Sequence, residues 1–243
     1  MLKIYLLSTD EPEYSNLNEN ILSRRRRDAL ARIKPQHARK LSVCAELALI
    51  CAACEYAKEN DICFTLPQDI GEDADGKPCF TEGSPFKERL YFSLSHSGSL
   101  AAAAVSDFPV GVDIEIIKKR PHMRPERILH PEEYGEFQKI TGEDSRLKYF
   151  YDCWVCKEAV LKENGAGIRV RPSEFCFREG RISAPPEFFA AHSGLYGKTV
   201  QLLSENFSLP DGYCAAVCGK NVYELQNNII YLYGKDLNLD QYL

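Results

Sequence analysis

The segment VGVDIEII, Val110–Ile117, restricts the fold more than any other part of the sequence. Its β-branched residues predict a strand, yet the run carries two acids, Asp113 and Glu115. Residues two apart on a strand face the same side, so both carboxylates project together while Val112 and Ile114 pack behind them. Uncompensated buried charge is costly. We therefore expect a partner for these acids, either a cation or a metal, on the element that covers this face.

Long helical runs followed by strands occur in both halves of the chain. In the first half, apolar residues recur with a helical period over Ala38–Lys58, after a break at Pro35, and alternating strands follow at 90–97 and 100–105. In the second half, 145–164 is predicted to be helical, a hairpin is expected around Glu179 and Gly180, and strands at 199–206 and 212–220. The segments GSLAAAAVS and GYCAAVCGK echo each other faintly, which hints at an internal duplication. We predict an α+β fold of two similar halves, 1–107 and 108–243, with a ligand cleft between them.

Composition excludes several classes of protein. The formal net charge of -5 argues against bulk binding of nucleic acid, which requires a positive field. No apolar run of about 18 residues predicts a membrane helix. The ten cysteines come without a visible export signal, so reduced thiols and a cytoplasmic location are expected. The pairs Cys51/Cys54 and Cys153/Cys156 lie too far apart in the sequence for a compact zinc module.

The acidic strand has two candidate partners, a metal ion and a predicted helix that carries a lysine. Paired carboxylates at Asp113 and Glu115 suit Mg²⁺, although a surface strand with one wet face would look the same. In WVCKEAVLKENGAG, Trp154, Glu158 and Lys162 fall on nearly one helical face. A Glu followed four residues later by a Lys is also a common surface pair that stabilises a helix by only a few tenths of a kcal/mol. Either interpretation is open on these residues alone.

Two further segments offer donors for phosphate. The cluster SLSHSG, 93–98, places Ser95 and His96 at a strand end, and no nucleophile elbow supports a hydrolase interpretation. The run Arg24–Arg27 could neutralise a polyphosphate or form a solvated helix face. A basic segment follows the acidic strand; its members are Lys118, Lys119, Arg120, Arg124 and Arg127.

The order and spacing of these motifs are more specific than any one of them. SLSHS precedes GVDIE by some fifteen residues, and W-x-x-K-E-A-x-x-K-x-x-G-x-G follows it by about forty. The combination resembles the 4′-phosphopantetheinyl transferases, in particular the large, pseudo-dimeric, surfactin-synthetase-activating type, over roughly residues 1 to 220. This resemblance implies two similar α+β halves, an active site between them, and a monomer. It also implies Mg²⁺, coenzyme A as donor and a serine of an apo acyl or peptidyl carrier protein as acceptor.

Roles for individual residues follow from the resemblance alone. Asp113, Glu115 and Glu158 match the Mg²⁺ ligands, Glu158 also matches the base, and Lys162 matches the group that protonates the leaving 3′,5′-ADP. The residues that match or lie near coenzyme A contacts are Arg24, Arg27, Arg39, Lys40, Lys77, Ser95, His96 and Lys157. The family commonly has a small hydroxyl residue where Lys40 falls. The basic segment after the acidic strand is expected to dock an acidic carrier.

Two other functions compete with this interpretation. A different Mg²⁺-dependent phosphotransferase or nuclease would use Asp113 and Glu115 but leaves the helix motif and SLSHS without a purpose. A non-catalytic module that binds a nucleotide or a nucleic acid through Arg24–Arg27 leaves the three acids unexplained. The tail after Gly219 lies mostly outside the resemblance.

Overall fold

A computed structural model describes residues 1–10, 19–119, 124–203, 209–222 and 229–232. The strands are β1 (Leu2–Ser8), β2 (Ile70–Glu72), β3 (Pro78–Phe80), β4 (Tyr91–Ser97), β5 (Leu100–Ser106), β6 (Val110–Ile116), β7 (Cys176–Arg178), β8 (Arg181–Ser183), β9 (Val200–Leu203), β10 (Tyr213–Gly219) and β11 (Ile229–Leu232). The helices are α1 (Arg24–Leu30), α2 (Gln36–Glu59), α3 (Pro125–Ile128), α4 (Pro131–Lys139), α5 (Glu143–Asn164) and α6 (Pro186–Ala191). Within these ranges, no helix has both the length and the apolar character needed to cross a bilayer.

The chain divides into two compact units, Met1–Pro109 with Leu225–Leu243, and Val110–Glu224. The first unit has a sheet of order β11-β1-β5-β4. In this sheet β5 pairs antiparallel with both β1 and β4. Helix α2 packs on one face of this sheet. Its Leu47 and Leu49 belong to the same buried cluster as Tyr5 and Phe92 of the sheet. The uninterrupted apolar period of α2, free of Gly and Pro, accounts for its length.

The C-terminal strand β11 belongs to the first unit. It pairs parallel with β1, in the register Ile4↔Ile229 to Leu7↔Leu232. The sequence-based division assigned all of 108–243 to the second half, so β11 is a correction to it. Local pattern gave no indication of this pairing, because a four-residue strand at the edge of a distant sheet is defined by its partner.

The second unit has a sheet of order β6-β10-β9 with α5 packed against it. Strand β10 pairs antiparallel with both neighbours, for example Ala216↔Asp113 on one side and Ala216↔Leu202 on the other. Ala159 and Val155 of α5 share a buried cluster with Ala216. Gly165 ends α5 in the left-handed conformation, with φ 75°, as predicted for the glycines that follow the helix.

The two units share a core of four elements with the same topology. Each contains a strand, a long helix and two more strands, β1-α2-β4-β5 and β6-α5-β9-β10; the first strand of each set pairs with the last, and the middle strand lies at the edge. The sequence Lys-Glu-Asn occurs at the end of both helices: in α2 it is the last two residues and the C-cap Asn60, and in α5 it is the last three residues. This shared strand order agrees with the internal duplication that the sequence hinted at, which stays a prediction. The predicted hairpin is also confirmed, since Glu179 and Gly180 connect β7 to β8 with positive φ angles.

Candidate active site

The acidic face of β6 is the face that α5 covers. A Cβ placed on Gly111 would lie 1.9 Å from the carbonyl oxygen of Ala159 and 2.5 Å from the backbone nitrogen of Glu163. Strand and helix therefore touch backbone to backbone at Gly111. Asp113 and Glu115 follow on the same side of the strand, and Val112 and Ile114 are fully buried on the other. This arrangement brings the acids to the helix that carries the second motif.

Asp113 and Lys162 form the central ion pair of this site. The Nζ of Lys162 donates to Oδ1 of Asp113 at 2.7 Å. Asp113 is only 4% exposed, whereas Lys162 retains 31% of its side-chain surface. The partner of the buried Asp113 is thus the ammonium group of Lys162 on the adjacent helix α5, and Lys162 keeps contact with solvent. Asp113 therefore has the cationic partner that the acidic strand was expected to have.

Glu158 lies one helical turn before Lys162 and is half-buried. Burial is the largest cause that raises the pKa of its carboxyl, the negative charges of Asp113 and Glu115 act in the same direction, and Lys162 opposes them; together they raise the pKa to about 7. The carboxyl therefore exchanges its proton near neutral pH, as a general base requires. The charges of Asp113 and Glu115 on β6 therefore act on Glu158 of α5, although the three residues come from two elements.

The chemistry of this group fits a hard divalent cation. Three carboxylates supply only oxygen donors, which Mg²⁺ prefers, and their mutual repulsion in a half-buried site is what a cation relieves. The three carboxylates do not form a tight cluster. Among the described residues, the one group with three candidate ligand atoms within 4.8 Å of one another lies elsewhere in the chain. The acids form an open group in which Lys162 pairs with Asp113.

Lys157 departs from its predicted role as a coenzyme A contact. Its side chain is fully buried and pairs with Glu133 of α4 at 2.7 Å. Its ammonium also donates to the carbonyls of Pro172 at 2.7 Å and Phe175 at 2.5 Å. Three acceptors use all three donors of a lysine. Lys157 therefore joins α5 to α4 and to the loop before β7, and this corrects the prediction.

The remaining predicted contacts lie in the first unit. Ser95 and His96 are neighbours on the edge strand β4, so they face opposite sides: Ser95 is buried and His96 is exposed. Lys77 lies in the turn between β2 and β3, where its backbone N–H donates to Oδ1 of Asp73 at 2.9 Å. Lys40 is exposed in the second turn of α2.

The four consecutive arginines of α1 have different surroundings. Arg24 is 84% exposed, beside Asp28 at 3.9 Å. Arg27 donates to the carbonyls of Leu22 at 2.8 Å and Asn20 at 3.2 Å. Arg39 of α2 donates to the carbonyl of Leu30 and pairs with Glu19. These contacts hold Arg27 and Arg39 against the backbone, whereas Arg24 projects into solvent.

Arg26 anchors this basic helix to α2. Its Nε pairs with the buried carboxylate of Glu46 at 2.9 Å, and Nη1 donates to Ser42 at 2.6 Å. The backbone N–H of Ser23 donates to the same carboxylate at 2.5 Å, and the Ser23 hydroxyl caps α1. The arginine run is thus neither a uniform phosphate clamp nor a uniform solvated face.

Sequence reasoning missed two residues that shape the site. Gly111 permits the close approach of β6 and α5, and a lone glycine inside a β-branched strand is a signal for such an approach. Glu133 neutralises the buried Lys157 and closes the capping box of α4 with His130. No sequence pattern identified Glu133, because its partner lies on another helix.

Comparisons with known proteins agree with these motifs. Residues 109–218 match the family model of the 4′-phosphopantetheinyl transferase superfamily, a range close to the second unit. The chain is 32% identical to a 4′-phosphopantetheinyl transferase (ffp) of Bacillus subtilis over 146 residues, 59% of each protein. It is 33% identical to psf-1 of Bacillus pumilus over 158 residues, 64% of this chain and 63% of that protein.

A relative from Salmonella matches at a similar identity. The chain is 34% identical to the 4′-phosphopantetheinyl transferase AcpT of Salmonella typhimurium over 142 residues, 57% of this chain and 66% of AcpT. The chain thus aligns with 59 to 66% of the length of these curated relatives. These comparisons support the resemblance inferred from the motifs: residues 109–218 match the family model of the 4′-phosphopantetheinyl transferase superfamily.

Proposed function

We propose that the protein transfers the 4′-phosphopantetheine group of coenzyme A to a serine of an apo acyl or peptidyl carrier protein and releases 3′,5′-ADP. The observation that carries the proposal is the meeting of Asp113 and Glu115 of β6 with Glu158 and Lys162 of α5 in a single electrostatic environment. The match of residues 109–218 to the transferase superfamily supports the same chemistry.

Asp113, Glu115 and Glu158 are the residues that would hold Mg²⁺. When bound, the cation would neutralise the negative charge of the coenzyme A pyrophosphate. The fit rests on the oxygen donors and on the burial and the negative neighbours that raise the pKa of Glu158. A rigid strand and a long helix carry the three acids, which favours a fixed site over one built from loops.

Glu158 and Lys162 perform the proton transfers in this proposal. The Glu158 carboxylate accepts the proton of the attacking serine hydroxyl, and its pKa of about 7 in the metal-free protein suits this exchange near neutral pH. Lys162 donates a proton to the leaving phosphate oxygen, and its exposed fraction of 31% leaves it within reach of a substrate. Because both charges develop in the transition state, each residue affects turnover more than affinity.

The exposed cations that follow β6 are proposed to dock the carrier. Lys118, Lys119, Arg124 and Arg127 are all exposed, and Arg120 lies outside the described residues. Charge complementarity at an exposed surface acts mainly on the association rate and is screened by salt. Reversing Lys119 and Arg124 to Glu should raise the KM for the carrier at low salt and leave the affinity for coenzyme A unchanged.

The cofactor contacts, the monomeric state and the cytoplasmic location stay predictions. Arg24, Arg27 and Arg39 are proposed to lie near the 3′-phosphate and Lys40 near the adenine, whereas Lys77, Ser95 and His96 contact phosphate groups. Arg24 is the best supported of the arginines, since its side chain is the most exposed of those whose contacts are described.

Incubation of the protein with coenzyme A, Mg²⁺ and an apo carrier tests the proposal. We expect the carrier to gain the mass of one phosphopantetheine group, and Glu158→Gln and Lys162→Ala to lose several orders of magnitude in turnover. Lys139→Ala, which removes an exposed lysine of α4, is the matched control and should be fully active. Carrier labelling by Glu158→Gln at the wild-type rate would refute the mechanism.

The same experiment separates the competing functions. Another Mg²⁺-dependent phosphotransferase or nuclease would cleave a phosphate substrate without modifying the carrier. A non-catalytic nucleotide-binding module would bind coenzyme A and leave both molecules intact. Either outcome would overturn the proposal while leaving the superfamily match unaffected.

A further inference from the structure

A second cluster of metal-ligating side chains lies apart from the acidic site in the sequence and on other elements. His130 is the N-cap of α4, Glu132 lies in the first turn of that helix, and Cys176 begins β7. One ligand atom from each lies within 4.8 Å of the other two. We infer that His130, Glu132 and Cys176 bind a zinc-like divalent cation, which ties the N-terminus of α4 to the β7–β8 hairpin.

The geometry is close to what such an ion needs. With Zn–N near 2.0 Å and Zn–S near 2.3 Å, tetrahedral ligands stand roughly 3.3 to 3.8 Å apart. Cys176 Sγ already lies 3.8 Å from Oε2 of Glu132. The 4.8 Å limit on the other separations therefore leaves at most about 1.5 Å of side-chain adjustment. Nδ1 of His130 accepts only a long hydrogen bond, 3.3 Å from the N–H of Glu132, so the ring gives up little by turning to an ion.

Burial gives the cluster a protected side and an open side. Cys176 is 4% exposed, whereas the side chain of Glu132 is 57% exposed, so an ion can enter past the carboxylate and reach the thiol. Three protein ligands leave the fourth tetrahedral position to water.

The ligand types select the ion. A thiolate and an imidazole beside one carboxylate favour zinc and similar transition metals over Mg²⁺, which prefers oxygen alone. The cluster and the three acids of β6 and α5 therefore call for different cations. The inference about the cluster does not depend on the proposed activity.

The charges around the cluster are balanced. Arg178 pairs with Glu132 through two contacts, at 2.8 and 3.0 Å, but both side chains are largely exposed. Such a pair contributes little and is readily given up to a divalent ion. Glu133 follows Glu132 on α4 and pairs with the buried Lys157, which leaves the carboxylate of Glu132 as the charge available for an ion. Binding displaces the thiol proton of Cys176.

Titration with Co²⁺, a spectroscopic substitute for zinc, tests the inference on the full chain without Mg²⁺. We expect one equivalent to bind with a thiolate-to-cobalt absorption band, and Zn²⁺ to displace it. Cys176→Ser should remove the band. His130→Asn, which retains a capping side chain, and Glu132→Gln should each weaken binding by roughly tenfold or more.

Two controls make the result specific. Cys63→Ser removes an exposed cysteine of the first unit, and Asp113→Asn alters the acidic site; both should leave the band unchanged. His130→Asn and Glu132→Gln replace partly or largely exposed side chains, so they remain informative if Cys176→Ser fails to fold. Absence of a thiolate band in the wild type, or a band that survives His130→Asn and Glu132→Gln unchanged, would overturn the inference.

Discussion

Gly111→Ala should damage both stability and activity, because the added methyl group meets backbone. Its Cβ would lie 1.9 Å from the carbonyl oxygen of Ala159 and 2.5 Å from the nitrogen of Glu163, against ordinary contacts of 3.4 Å or more. No side-chain rotation relieves this overlap. Strand β6 and helix α5 would have to separate by about 1.5 Å, the difference between the required and the available distance to Ala159.

The cost follows from what such a separation opens. Val155 and Ala159 of α5 are fully buried against the sheet, and a gap of 0.5 to 1 Å already forfeits about a quarter to a half of the dispersion attraction between facing atoms. Overpacking in rigid cores typically costs about 1 to 3 kcal/mol, so we expect a loss of about 3 kcal/mol for this backbone clash. The 2.7 Å contact between Lys162 and Asp113 would also open, and misplacement by about 1 Å can lower turnover roughly a hundredfold.

Urea denaturation and carrier-labelling rates measure the two effects. Gly135→Ala is the matched control: Gly135 lies inside α4, and a Cβ there meets nothing within 4 Å. Alanine is preferred over glycine inside a helix by about 1 kcal/mol, so the control should be as stable as the wild type or more stable. Wild-type stability and turnover in Gly111→Ala would refute the argument that β6 and α5 touch through this glycine.

Three other substitutions test the surroundings of the site. In the metal-free protein the raised pKa of Glu158 makes its ionisation destabilising, so the stability of the fold falls as the pH rises from about 4.5 to 7. Compared with the wild type, Glu158→Gln should therefore be more stable by up to about 3 kcal/mol at pH 8 and by little at pH 5. A difference in urea unfolding that does not change with pH would contradict this. Lys157→Met should lower the stability by about 3 to 5 kcal/mol because Glu133 is left charged and buried, and adding Glu133→Gln should recover part of the loss. Calorimetry should find the affinity for coenzyme A unchanged. A large loss of affinity in the folded variant would instead support the predicted contact of Lys157 with coenzyme A. Asp113→Asn keeps the volume of the side chain, so carrier labelling should be lost while the thermal midpoint stays near that of the wild type; retained labelling would remove Asp113 from the metal site.

Local patterns in the sequence were sufficient for the elements that carry the chemistry. Alternation predicted β6 and the common facing of Asp113 and Glu115, and helical spacing placed Glu158 and Lys162 on one face of α5. These predictions succeeded because the periods of a strand and a helix are properties of the backbone and need no knowledge of the neighbours. The order and spacing of the motifs gave the resemblance to the family, because both are properties of the linear sequence.

Only the tertiary structure decided which partner each charge acquired. Lys157 and Lys162 lie five residues apart on one helix, yet one is buried against Glu133 and the other pairs with Asp113 at the site. Their different fates depend on α4 and β6, which pack on different faces of α5. The same holds for β11, whose position in the first unit depends on a distant sheet edge. A single sequence records the period of each element, but the identity of the element packed against it is a property of the assembled core.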